Sequence, residues 1–100
     1  MFTRIVLRGQ AGTLVRNYQT AARLGPYTVR RHRDTDRDPW QWELEATLAG
    51  PVDDFAVRQR PLLFTAPKRG GGNAGFFCFP VQRVYVHPRT VVAILGPPEY

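Results

Sequence analysis

Thr13-Leu14-Val15-Arg16-Asn17-Tyr18-Gln19-Thr20-Ala21-Ala22-Arg23-Leu24 is the stretch on which the fold class turns. Its apolar residues Leu14, Val15, Tyr18, Ala21 and Ala22 recur at i, i+1, i+4, i+7 and i+8, which is one face of a helix. Arg16, Asn17, Gln19, Thr20 and Arg23 fall on the wet side, Thr13 is a suitable N-cap, and Gly25-Pro26 is a suitable stop. The spacing therefore predicts a helix over 13–24. The same residues also alternate as a weak strand.

On the N-terminal side, Phe2 to Arg8 is short and rich in β-branched residues, and Gly9 and Gly12 punctuate its end, as at the end of a strand. On the C-terminal side, Tyr27 to Arg33 alternates and runs into the polar loop Asp34-Thr35-Asp36-Arg37-Asp38-Pro39. The clearest period of two follows: Trp40, Trp42, Leu44, Ala46 and Leu48 alternate with Gln41, Glu43, Glu45 and Thr47. That alternation assigns Trp40 and Trp42 to the core. Pairing these two strands sets Arg30 and His32 near Glu43 or Glu45 across the ladder.

Gly50-Pro51-Val52-Asp53-Asp54 has an early proline and first-turn acids, so it predicts a short second helix that stops at Arg58-Gln59-Arg60-Pro61. Leu62 to Ala66, Phe76 to Val86 and Thr90 to Leu95 read as further strands, with His87-Pro88-Arg89 as a tight turn. Residues 67–75, rich in glycine, read as a flexible exposed loop, and 96–100 as a tail. The expected architecture is a single α+β domain over 1–100: a mainly antiparallel, curved β-sheet with one packed helix. The alternative is an all-β small barrel.

The chain has 100 residues and 43% of them are hydrophobic, enough for one core and too few for two domains. Fourteen basic residues against eight acidic give a net charge of +6, and 13 of the 14 are Arg. A coding bias toward GC produces that preference without any function. Arg is also the residue suited to bidentate phosphate contacts and to stacking, so the charge points to polyanions either way. Arg4 and Arg8 interrupt the apolar N-terminal stretch, so no secretory leader can be drawn, and no apolar run approaches the roughly 18 residues that span a bilayer. The chain is read as soluble and cytoplasmic, without a membrane partner.

Several constellations offer chemistry, and most fail on geometry. Asp34, Asp36, Asp38 and Glu45 reproduce the acidic spacing of a calcium-binding EF-hand loop, but Pro39 stands where the sharp turn needs Gly, and a strand follows instead of a helix. His32, His87 and Cys78 lack any ligand spacing, so neither a metal nor another cofactor is expected. The chain has no Ser, which excludes a Ser-His-Asp triad, and Cys78 lies in Phe76-Phe77-Cys78-Phe79, a packing context for a thiol.

Two basic segments remain. Arg30-Arg31-His32-Arg33 follows Tyr27, the pairing of cations and aromatics that single-stranded nucleic acid uses, although strand alternation puts Arg31 and Arg33 opposite to Arg30 and His32. Lys68 and Arg69 open the glycine loop, whose backbone can curl around an anion. Arg30, Arg31, Arg33, Lys68 and Arg69 are therefore the candidate binding residues, and no catalytic residue is assigned. The leading functional expectation is a non-enzymatic protein that engages nucleic acid or a nucleoprotein complex. A module binding an acidic protein surface as inhibitor, adaptor or assembly subunit is a second expectation, and a small metal-independent ribonuclease a third. A homodimer is expected if an apolar sheet face is left open.

Overall fold

The computed structural model describes residues 2–68 and 75–98. Seven strands follow one another as β1 (Phe2–Gly9), β2 (Gly12–Arg16), β3 (Gln19–Arg33), β4 (Gln41–Val52), β5 (Leu63–Pro67), β6 (Phe76–Val86) and β7 (Thr90–Leu95). The helical content is one turn, α1 (Asp54–Val57). The sheet runs β1-β3-β2-β5-β6-β7-β4, and β4 pairs back onto β3, so six antiparallel strands close into a barrel with β1 as an extra strand. The α+β expectation is thus overturned, and with it the packed helix: the chain is essentially all-β.

Residues 13–24, expected as a helix, form a hairpin. β2 and β3 pair from Gly12 opposite Leu24 to Arg16 opposite Gln19, with Asn17 and Tyr18 as a two-residue turn. Both turn residues have positive φ, 50° and 64°, the geometry of a type I′ turn whose twist matches that of the strands. The misreading has a physical origin. The register shifts between Leu14 opposite Ala22 and Val15 opposite Thr20, leaving Ala21 as a bulge, so Ala21 and Ala22 are both buried. Two consecutive buried residues imitate the i+7, i+8 step of a helix. Tyr18, assigned to the buried helical face, is fully exposed at the turn.

β3 is 15 residues long because it serves two neighbours on one edge. Its first half pairs with β2 and its second half with β1, from Tyr27 opposite Gly9 to Arg33 opposite Phe2. Gly25 and Pro26, expected to stop a helix, occupy the changeover, where a residue without an N–H leaves no gap in either ladder. Gly9 and Gly12 end β1 and begin β2 for a steric reason. A Cβ on Gly9 would run into the Tyr27 ring, and one on Gly12 would lie 2.7 Å from Cε1 of Phe64. Those two rings meet edge to face with centroids 5.2 Å apart.

The core fills the barrel with Leu14, Leu24, Val29, Leu44, Phe64, Phe79 and Val91. Phe79 stacks 6.0 Å from Phe64. Asp53 caps α1, its Oδ1 accepting the Ala56 N–H at 3.0 Å, and Val57 turns inward as the buried residue of that turn. Proline at 51 does not start the helix as expected, because Pro51 still belongs to β4. Most of the glycine loop, residues 69–74, and the last two residues of the tail lie outside the described residues. Among the described residues no helix is long and apolar enough to cross a membrane.

Two stability measurements check this construction. Tyr18→Gly should raise the unfolding free energy by about 1 kcal/mol in urea titration, because a bulky L-residue in the left-handed region costs roughly that amount. Gly12→Ala should lower it by about 1–3 kcal/mol, because the fully buried Phe64 ring must move.

Candidate functional site

Beyond the closed barrel, β1, the second half of β3 and the start of β4 continue as a three-stranded lip. Antiparallel pairing puts directly opposite residues on one face. Phe2 lies opposite Arg33, Arg4 opposite Arg31, and Arg31 opposite Trp42. Val29 and Leu44, each two residues nearer the barrel than Arg31 and Trp42, are buried core on this same face. The barrel's inner surface therefore runs out onto the lip and changes there from apolar to cationic and aromatic.

The guanidinium of Arg31 lies 4.4 Å from the centre of the Trp40 ring, and that of Arg33 lies 4.2 Å from it. Arg33 is also 5.7 Å from the Phe2 ring, and Arg31 5.9 Å from Trp42. All four distances fall within the reach of a cation–π interaction, worth about 0.5–1 kcal/mol at exposed sites. An open groove is lined by Phe2, Thr3, Arg4, Arg31, Arg33 and Trp40. The Nε atoms of Arg31 and Arg33 are shielded from solvent and have no hydrogen-bond partner among the described residues.

Charge on the two faces of the lip is handled differently. On the outer face, Arg30 donates to Glu45 Oε2 at 3.1 Å and lies 3.8 Å from Glu43. Those are the ion pairs found among the described residues, so the groove's three arginines face no carboxylate within that range. Arg4 and Arg31 sit directly across from one another as like charges, an arrangement that costs free energy.

The five arginine and lysine residues named from sequence thus separate. Arg31 and Arg33 come together in the groove. Arg30 is on the opposite face and neutralised, as the expected cross-strand pairing with Glu43 and Glu45 requires. Lys68 follows β5, whose partners are β2 and β6; it is exposed, and its ammonium lies 5.3 Å from the Phe77 ring. Arg69 lies outside the described residues. Arg4, Phe2 and Trp40 were missed. The first two reach the groove only through the register of β1 on β3, which no local pattern encodes. Of the two tryptophans assigned to the core, Trp42 is partly buried and packs 5.9 Å from Phe79, whereas Trp40 precedes β4 and lies against the arginines.

The remaining candidates stay dispersed. His87 follows β6 at an exposed turn, Cys78 is half-buried within β6, and His32 lies opposite Gln41. No group of three or more His, Cys, Asp or Glu that could hold a metal exists among the described residues. The acidic loop, whose spacing imitates a calcium site, folds on itself, with Asp38 Oδ2 accepting the Thr35 N–H at 3.0 Å and Thr35 Oγ1 accepting the Arg37 N–H at 3.3 Å. No protein-family model, no curated protein and no solved structure matches this chain.

Arg4→Glu replaces the like-charge pair opposite Arg31 with an opposite-charge pair. It should raise stability by about 0.2–1 kcal/mol in denaturant titration at low salt, and the gain should shrink as salt is added.

Proposed function

We propose that this chain is a non-enzymatic binding module for single-stranded nucleic acid, and that the lip groove is its binding surface. The observation that carries the reading is the face shared by Arg4, Arg31 and Arg33, three cations without a carboxylate among them, set beside the Phe2 and Trp40 rings. A strand of nucleic acid supplies what this face lacks: phosphates to separate the arginines and bases whose π-faces stack on rings or guanidinium planes. A duplex offers the phosphates but keeps its bases stacked inside.

Fluorescence polarisation of labelled single strands of about 12 nucleotides, DNA and RNA, against a duplex of equal length tests the proposal. Single strands should bind saturably and more tightly than the duplex. Each phosphate contact contributes a logarithmic salt slope of roughly −0.7 for single strands, so three cations give about −2 between about 50 and 300 mM salt. The paired substitutions Arg31→Ala and Arg33→Ala should weaken binding at least about tenfold, and Arg30→Ala by less than about twofold, since a neutralised rim cation contributes little. Absence of binding at low salt, or equal losses from Arg30 and Arg31, would sink the reading.

A further inference from the structure

Among the described strands, β1 alone has a partner on a single edge. It pairs with β3 along its whole length and with nothing else, whereas every barrel strand is flanked on both sides. A row of β1 backbone N–H and C=O groups therefore faces solvent, a template for one more strand. Three of the exposed large hydrophobic residues, Phe2, Ile5 and Val6, are concentrated on these eight residues. The register shift between Ile5 and Leu7 makes Val6 a bulge, which bends the edge without closing it.

Charge decides what fits. β1 carries Arg4 and Arg8 and no carboxylate, and its neighbour contributes Arg31 and Arg33. Two copies of β1 laid antiparallel would gather four arginines of their own on one short ribbon, which disfavours a second copy of this chain. We propose that the β1 edge docks an extended acidic segment of a partner protein, added as a further antiparallel strand. Its backbone satisfies the open row of β1, an apolar side chain lies beside Ile5 on the outer face, a carboxylate lies beside Arg4 on the inner face, and Arg8, on the outer face, adds to the positive field along the edge. The recognition uses the strand edge and shares Arg4 with the groove, whereas Ile5 and Arg8 do not line the groove, so variants at those two positions separate it from nucleic-acid binding.

Amide hydrogen exchange of the full chain, with and without blocked heptapeptides, tests this. The probes are a peptide of alternating Glu and Val, its Lys and Val counterpart, and the Glu-Val peptide N-methylated at alternate residues. The Glu-Val peptide should slow exchange of alternate β1 amides at least about tenfold, with no comparable change elsewhere. Arg8→Glu, at an exposed position, should weaken that binding by about fivefold or more, and Ile5→Glu provides a second variant should the first perturb folding. Equal binding of the lysine peptide, or of the N-methylated peptide, overturns the proposal, because charge alone or a site away from the edge would then account for it. Absence of protection overturns it too. So does a free chain that sediments as a dimer with its β1 amides already protected, since a second copy then holds the edge.

Discussion

Barrel closure rests on β3 being paired on both edges along nearly its whole length. On one side it meets β4 from Ala22 to His32, and on the other it meets β2 and then β1. The pairing with β4 joins the two ends of the sheet, so that β2, β5, β6 and β7 have no free edge. An antiparallel sheet of this size curls readily, and full closure removes the edges that otherwise invite association. The constraint explains why no long helix is needed: the inner face of the sheet covers itself. It also sets the sterics at the corner, where the chain passes from β1 to β2 beneath two aromatic rings and tolerates no Cβ at Gly9 or Gly12.

Closure has a consequence at the open end. β3 is longer than the barrel is tall, so its last residues, with β1 and the start of β4, extend past the layer in which opposing strands meet. The outermost side chains on the inner face of that extension meet no opposite wall, and the inward periodicity that gives Val29 and Leu44 within the barrel gives Arg31 and Arg33 on the lip, while Trp42 still reaches Phe79 across the barrel. A fold selected for stability alone would pair these cations, as it does Arg30 on the other face. Leaving Arg4 opposite Arg31 forgoes up to about 1 kcal/mol, a sacrifice consistent with the proposed binding role.

How far the sequence speaks depends on the range of the interaction. The strands from Tyr27, after the acidic loop, and from Phe76 and Thr90 are legible because burial on one face writes a period of two. The first hairpin is illegible because a bulge at Ala21 breaks that period, and because Tyr18 stands where glycine would have announced a type I′ turn. Within the candidate site, alternation alone separates Arg31 and Arg33 from Arg30 and His32, a local inference that the register bears out. The contribution of Arg4 and Phe2 is hidden, because it depends on which residue of β1 meets which residue of β3 across about 30 positions of chain. Trp40 is hidden for a different reason: it continues the alternation of the following strand while lying just outside it.

The preference for arginine acquires local meaning at the lip, whatever produced it across the chain. An ammonium at position 31 or 33 would be strongly hydrated and would draw away from the Trp40 ring toward water. A guanidinium is planar and weakly hydrated, so it can lie against the indole within about 4–6 Å and still direct N–H groups into the groove. Holding the charge against an aromatic surface also restricts its rotamers, which would lower the ordering cost of the binding proposed above. At position 30 the same logic fails: the side chain reaches two carboxylates on an open face, and a lysine would serve there nearly as well. The lip is thus distinguished from the rest of a basic surface by how its cations are held, not by how many there are.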